Sequence, residues 1–140
     1  MTAAFFDTNI LGYAADSAAP DAGKRDAARA LMQSRSIHVS TQVMMELYNF
    51  LRRKLNFDQP IAEKALKALS EETVVEVSAD DVLAAITLSD RYQVSHWDGL
   101  ILRAAEKART PILYTEDLSH GQTYGSVRAC NPFIEDFLAQ

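Results

Sequence analysis

Short apolar runs alternate with amphipathic helical patterns along the whole chain, and this alternation restricts the possible folds more than any other feature. The apolar, often β-branched runs predict strands at residues 3–6, 37–39, 73–77, 112–114 and about 127–130. Helical spacing of apolar residues predicts a helical turn at 10–13 and helices at 21–35, from 41 to about 55, from 58, from 78, from 95, and in a terminal segment with Phe133, Phe137 and Leu138. Such alternation is typical of βαβ units, so we expect an α/β fold with a mainly parallel sheet covered by helices on both faces.

The size and composition of the chain fit one water-exposed globular unit. A length of 140 residues predicts a single domain, residues 1–140. The hydrophobic fraction of 48% and charged fraction of 24% lie near globular averages, and no apolar run approaches the roughly 20 residues of a membrane-spanning helix. The N-terminus has no signal-like segment, and the single Cys130 cannot form an internal disulfide. We therefore expect a cytoplasmic protein without a membrane contact.

The chain carries more acids than bases. Nineteen Asp and Glu against fourteen Lys and Arg give a net charge of -5. A passive nucleic-acid binder obtains most of its affinity from neutralised phosphates, which this balance does not favour. Either the substrate is not a polyanion, or some of the acids form a metal site whose cations reverse the local field.

Polar residues follow two of the predicted strands directly. Asp7, Thr8 and Asn9 follow the strand at 3–6, and the segment 115–117, Thr-Glu-Asp, follows the strand at 112–114. In open α/β sheets, ligands bind beyond the carboxyl ends of the strands, where the strand order reverses. These groups are therefore candidates for a functional site, although Asp7 could equally be a structural cap.

Two more acids stand at informative positions on predicted helices. Glu46 lies at the border of an apolar stripe beside Phe50, where the competing interpretation is an ion pair with Arg53. Asp98 is the third residue after Ser95, the spacing of a capping box, and Ser78 with Asp81 repeats that spacing. Gly99 leaves space for close approach to Asp98, so a cap and a ligand role can coexist there.

Other chemistries have less support in the sequence. The histidines lack paired metal spacing, and no phosphate-binding glycine loop or serine-hydrolase motif occurs. Acids on several separated elements offer hard oxygen ligands. Such ligands suit Mg²⁺ or Mn²⁺.

Five segments together resemble one known family from end to end. They are Phe-Phe-Asp-Thr-Asn-Ile-Leu from residue 5, Ser-Thr-Gln-Val-Met-Met-Glu-Leu from 40, Ser-His-Trp-Asp-Gly-Leu-Ile from 95, Leu-Tyr-Thr-Glu-Asp-Leu-Ser-His-Gly from 113, and Asn-Pro-Phe from 131. The chain resembles the PIN-domain nucleases, and among them the VapC-like toxins of bacterial toxin–antitoxin pairs. The resemblance implies a three-layer fold with a five-stranded, mainly parallel sheet in the order 3-2-1-4-5.

The resemblance also implies a site and its chemistry. The family's acidic positions match Asp7, Glu46, Asp98 and Asp117, which would bind Mg²⁺ or Mn²⁺ and cut RNA. Its accessory polar positions match Asn9 and Thr115. Glu116 is an additional acid at this place, and whether Glu116 or Asp117 faces the metal stays open from the sequence.

We therefore predict a metal-dependent endoribonuclease that hydrolyses phosphodiester bonds, with the four acids holding one or two cations. One alternative is a phosphoaspartyl-type phosphohydrolase with Asp7 as the nucleophile, although such enzymes need a second acid where this chain has Asn9. The other is a degenerate PIN module that acts as a binding scaffold. Arg53 and Arg91 are candidates to guide the RNA backbone.

The predicted partners are RNA, a cognate antitoxin protein and a second copy of the chain. Two helices carry more apolar residues than one buried stripe requires, which favours a partner groove or a homodimer face, with core packing as the competing interpretation. These residues are Met44, Met45, Tyr48, Leu51, Leu66 and Leu69.

Overall fold

The computed structural model describes residues 1–17 and 22–134. Its strands are β1 Ala3–Phe6, β2 Ser36–Ser40, β3 Thr73–Val75, β4 Ile112–Tyr114, β5 Thr123–Tyr124 and β6 Val127–Cys130. Its helices are α1 Thr8–Ala15, α2 Ala22–Ser34, α3 Thr41–Arg53, α4 Gln59–Ser70, α5 Ala79–Tyr92 and α6 His96–Lys107. The predicted alternation of strands and helices is confirmed, and with it the α/β class.

The sheet has one strand more than predicted. Its order is β3-β2-β1-β4-β6-β5, and every pairing is parallel except that of β5 with β6. Without β5 the order is the predicted one, with the predicted fifth strand being β6. The additional edge strand forms because Gly121 and Gly125 adopt positive φ angles of 82° and 62°, which lets the loop turn and place Thr123 opposite Arg128.

The core lies between the sheet and its helices. Large side chains from the two central strands are fully buried, among them Phe5, Phe6, Leu113 and Tyr114. Strands buried on both faces read as continuous apolar runs, which explains why β1 and β4 show no alternation. Helices α5 and α6 pack against each other, while α1 contacts α2 and α3, and α3 contacts α4.

The structure corrects several predicted boundaries. The turn predicted at 10–13 is part of the eight-residue helix α1, because Asp7 caps it directly at the end of β1. Strand β3 ends at Val75 rather than at residue 77. The predicted helix at 21–35 is described from Ala22 to Ser34, and residue 21 lies outside the described residues. Of the predicted terminal helix, 135–140 lie outside the described residues, while Phe133 packs edge-on against Tyr13.

The apolar residues predicted to form a partner surface are largely part of the core. Leu51 and Leu69 are buried, and Met44, Tyr48 and Leu66 pack against the core while remaining partly exposed. Only Met45 of this set is fully on the surface, at 69% exposure. An open apolar groove of about 390 Å³ nevertheless remains between α1, α2, α3 and α4, lined among others by Leu47, Ala65 and Ala68. None of the helices in the described residues is long and apolar enough to cross a membrane.

Candidate metal centre

The parallel pairing of β1 with β4 builds the first half of the site. Phe6 lies opposite Tyr114, so the residues that follow them, Asp7 and Thr115, are neighbours at the carboxyl edge of the sheet. Thr115 Oγ1 donates a hydrogen bond of 2.8 Å to Asp7 Oδ2, and the Thr8 backbone N–H donates one of 2.7 Å to Asp7 Oδ1. Both oxygens of Asp7 are therefore held in fixed positions.

The loop after β4 directs its two acids, Glu116 and Asp117, to different partners. The Asp117 backbone N–H donates to Thr115 Oγ1 at 3.1 Å, and Asn9 Nδ2 donates to Asp117 Oδ2 at 3.0 Å. Glu116 instead forms a 2.8 Å ion pair with Lys24 on α2. Asp117 therefore faces Asp7, whereas the Glu116 carboxylate is engaged by a different part of the fold.

Asp98 enters the site from the first turn of α6. Ser95 caps that helix, because its Oγ accepts a hydrogen bond of 3.0 Å from the Asp98 backbone N–H. The predicted cap is thus supplied by Ser95, and the Asp98 side chain lies beside Asp7 and Asp117. Gly99 does not provide the space for a ligand that its position indicated. A Cβ at Gly99 would lie 2.5 Å from the Ala85 carbonyl oxygen, so glycine is needed for the packing of α6 on α5.

Glu46 lies on the surface of α3 at the rim of the same pocket. Its Oε1 accepts a 2.9 Å hydrogen bond from Thr8 Oγ1. The competing ion pair with Arg53 is not among those of the described residues. Thr8, a candidate whose role the sequence left unspecified, therefore links Glu46 to Asp7, because its hydroxyl donates to Glu46 and its backbone N–H donates to Asp7.

These side chains converge on one cavity. One carboxylate oxygen each from Asp7, Asp98 and Asp117 can be chosen so that all three lie within 4.8 Å of one another. The cavity measures about 550 Å³ and is also lined by Thr8, Asn9, Gln42, Glu46, Asn49, Phe50, Arg53, Lys54, Trp97 and Ile101. Arg91 is not among its lining residues.

Burial and mutual repulsion disfavour the charged forms of two of these acids. Removal from water raises the pKa of Asp7 from 3.8 to about 7, although the hydrogen bonds from Thr115 and Thr8 oppose this and the charges of Asp117 and Glu46 add to it. Burial also raises the pKa of Asp98, and Asp117 and Glu46 again contribute. Burial is the largest cause for both acids, and the charges of the neighbouring carboxylates add to it.

The donor set fits a hard divalent cation. The three converging groups are carboxylates, and no histidine or cysteine belongs to such a cluster within residues 1–17 and 22–134. Asn9 Oδ1 is buried and has no hydrogen-bond partner, so it adds an unused oxygen at the site. All-oxygen ligands are the preference of Mg²⁺ and Mn²⁺.

A family model covers most of the chain. The model of the PIN domain matches residues 4–125, which include all four acids. The chain belongs to the PIN domain family. The predicted family membership is therefore confirmed. No curated protein sequence matches the chain.

Solved structures with the same fold come from toxin–antitoxin systems. A toxin–antitoxin complex from Klebsiella pneumoniae has a TM-score of 0.70 and 20% identity, covering 94% of this chain and 98% of the other. The sarcin–ricin-loop-cleaving toxin VapC20 of Mycobacterium tuberculosis has a TM-score of 0.69 and 20% identity, covering 90% and 99%. VapBC2 from Rickettsia felis, bound to a promoter DNA fragment, has a TM-score of 0.61 and 16% identity, covering 91% and 97%. At these identities the likeness establishes a VapC-like fold for this PIN domain.

Proposed function

We propose that this PIN domain is a Mg²⁺- or Mn²⁺-dependent endoribonuclease and the toxin of a toxin–antitoxin pair, acting in the cytoplasm as one domain of residues 1–140. The observation that carries the proposal is the convergence of Asp7, Asp98 and Asp117 within one open cavity. Buried structural acids are normally paired with cations, whereas these three carboxylates face one another. VapC20, which shares the fold, is described as a toxin that cleaves the sarcin–ricin loop.

In this proposal, Asp7, Asp98 and Asp117 hold the cation, and Glu46 lies at the rim. A bound divalent cation supplies Lewis-acid activation of a water molecule and stabilises negative charge on the phosphate. The metal also accounts for the charge balance, since it provides the positive field that an excess of acids lacks.

The remaining side chains orient the ligands. Thr115 donates to Asp7 and accepts from the Asp117 backbone, so it sets the separation of these two carboxylates. Asn9 holds Asp117 Oδ2, leaving its other oxygen free for a ligand role. In the described part of the chain, Glu46 accepts a hydrogen bond from Thr8 through Oε1 alone, so its second oxygen is available to orient the attacking water and accept its proton.

The phosphoaspartyl alternative has less support from this geometry. Asn9 stands where the second acid would be needed, and its amide is bound to Asp117. A degenerate scaffold is disfavoured because all four acids are intact and turned towards one cavity.

A cleavage assay with purified protein tests the proposal. The protein should cut RNA with Mn²⁺ or Mg²⁺ and lose this activity in EDTA. Asp117→Asn should be inactive, whereas the matched control Asp90→Asn, an exposed acid of α5 outside the cavity, should cut like the wild type. Metal-independent cleavage, or equal activity of both variants, would contradict the proposal.

The antitoxin is proposed to cover the apolar groove between α1, α2, α3 and α4. One of the similar structures is a toxin–antitoxin complex, and two others are VapBC complexes bound to DNA. Ala68 is exposed on α4 and lines the groove, so Ala68→Arg should block an inhibitor encoded beside this chain without disturbing the core. Ser70→Arg, on the same helix outside the groove, is the control. Inhibition that is unaffected by Ala68→Arg would place the partner elsewhere.

The homodimer remains part of the proposal. Val82, Leu83 and Ile86 expose 45%, 65% and 51% of their surfaces on one face of α5, an apolar patch that a second copy would cover. Light scattering should give twice the chain mass, and Leu83→Glu should give the monomer. A wild-type monomer at high concentration would remove this element of the proposal.

A further inference from the structure

The single tryptophan of the chain stands next to the proposed metal ligands and outside the core. Trp97 is the second residue of α6 and directly precedes Asp98. It exposes 68% of its surface, while it lines the same cavity as the acids. It is absent from the hydrophobic core and from the described side chains packed against that core. A ring of this size normally contributes substantial burial, so its position at the cavity needs a separate explanation.

The backbone that carries Trp97 is fixed on three sides. Gln42 Nε2 donates to the Trp97 carbonyl oxygen at 3.4 Å. Ser95 caps the same turn through the Asp98 N–H, and Gly99 brings the turn into direct contact with α5. The exposed ring is therefore attached to an anchored first turn at the cavity that the acids line.

Two cations line the cavity as well. Arg53 and Lys54, at the end of α3, are lining residues, and neither belongs to an ion pair among the described residues. Cationic side chains of this kind, beside a carboxylate cluster, are suited to bind the phosphates of a substrate backbone. Lys54 also lies 5.7 Å from the centre of the Phe50 ring, which holds it at the end of the helix.

We infer that Trp97 binds substrate by stacking its indole ring on an unpaired RNA base beside the bond that is cut, while Arg53 and Lys54 bind the flanking phosphates. The inference rests on the proposed ribonuclease function and adds a residue that binds a base of the substrate. An aromatic side chain at a cavity rim can stack only on a base whose face is free, and bases within a duplex have both faces covered by their neighbours. The acids alone would accept either form.

Steady-state kinetics on a short unstructured RNA test this assignment. Trp97→Leu should raise KM about tenfold and leave kcat within about twofold, because stacking contributes to binding rather than to the bond-breaking step. Trp97→Phe should stay within about threefold of the wild-type KM, since it keeps an aromatic face. Ile61→Ala, which removes an exposed apolar side chain on α4, is the matched control and should behave as the wild type.

The same RNA annealed to its complement provides the specificity test. The wild type should cut the duplex at least about tenfold less efficiently than the single strand, and Trp97→Leu should narrow that difference. An unchanged KM in Trp97→Leu, or an unchanged preference for single strands, would overturn the inference. A Trp97→Leu protein with normal KM but altered oligomeric state would also overturn it and assign the ring to a protein contact.

Fluorescence separates this inference from the proposed function. Because Trp97 is the one tryptophan of the sequence, its emission reports directly on the ring. In EDTA, where no hydrolysis occurs, the unstructured RNA should quench this emission and an abasic strand of equal length should not. Quenching by a protein that cuts no RNA would retain the stacking site and refute the nuclease function. Cleavage without quenching would retain the nuclease and refute the stacking site.

Discussion

Helices α5 and α6 begin with the same local pattern, a serine cap followed three residues later by an aspartate, yet the two aspartates have opposite environments. Asp81 completes a capping box with Ser78 and also binds Arg103 at 3.0 Å and Lys107 at 2.7 Å. These partners hold the pKa of Asp81 far below its usual range, with the Lys107 contact the largest cause. Asp98 forms no salt bridge with any residue that the structure describes, and burial raises its pKa.

The difference between the two acids shows what a stabilising carboxylate looks like next to a functional one. Asp81 joins the start of α5 to the end of α6 through two salt bridges and is 2% exposed. Asp98 lies at the other end of that helix pair and faces Asp117 across an open cavity. An acid with only a structural role acquires cationic partners, whereas an acid that faces other acids in a cavity is a candidate ligand.

The largest expected effect is a loss of RNA cleavage on substitution of Asp98 but not of Asp81. Asp98→Asn should lower RNA cleavage about a thousandfold, as expected when a group acting in the transition state is lost. It should change stability by no more than about 1 kcal/mol, since Ser95 still caps the helix. Asp81→Asn should cleave at the wild-type rate at a temperature where it is folded. Equal losses of activity in both variants would remove the distinction between the two helix starts.

The second effect is the pH dependence of metal-free stability. Because Asp7 has a pKa of about 7 in the native state and 3.8 ordinarily, the unfolded chain loses this proton first as the pH rises. The free energy of unfolding should therefore fall by about 3 kcal/mol between pH of about 4 and 7.

Urea denaturation in EDTA measures the free energy of unfolding at each pH. The difference between wild type and Asp7→Asn isolates the contribution of Asp7 from that of other titrating groups. Asp81 predicts the opposite sign at lower pH, since its contribution is complete above the ordinary carboxyl range and is lost as the pH falls towards its depressed pKa. If the free energy of unfolding depends on pH identically in wild type and Asp7→Asn, burial does not raise the pKa of Asp7.

The third effect concerns the salt bridges. Asp81→Asn should lower the free energy of unfolding at neutral pH by about 2 kcal/mol, because Arg103 and Lys107 lose their common partner while remaining only partly exposed. Urea denaturation monitored by circular dichroism measures this. Glu106→Gln is the control, since Glu106 contacts Arg103 at 2.8 Å but is itself partly exposed, and it should cost less than Asp81→Asn.

The smallest effect tests repulsion within the acidic cavity. Asp117→Asn removes a charge that raises the pKa of both Asp7 and Asp98, so in EDTA it should stabilise the protein by about 1 kcal/mol at neutral pH. Mn²⁺ should raise the melting temperature of the wild type through binding to the native state, and that of the variant much less. A destabilised Asp117→Asn that responds fully to Mn²⁺ would mean that these acids do not form one metal site.

Much of the fold could be predicted because its signals are local. The apolar run 3–6 and its abrupt end at Asp7 are readable in the sequence, and so are the Ser78 and Ser95 caps, since a cap involves residues three positions apart. The extra strand β5 was missed because a two-residue strand has no pattern of its own. It exists only where Gly121 and Gly125 let the loop fold back on β6.

The sequence by itself placed Asp7 and the pair Glu116 and Asp117 directly after two strands and Asp98 in the first turn of a helix. Only the tertiary structure decided their individual environments. Lys24 on α2 engages Glu116 and leaves Asp117 for the cavity. Arg103 and Lys107 neutralise Asp81, whereas no salt bridge within residues 1–17 and 22–134 involves Asp98. The reason is physical: a backbone cap is satisfied within one turn, but the field at a carboxylate depends on charges that are distant in the chain and near only after folding.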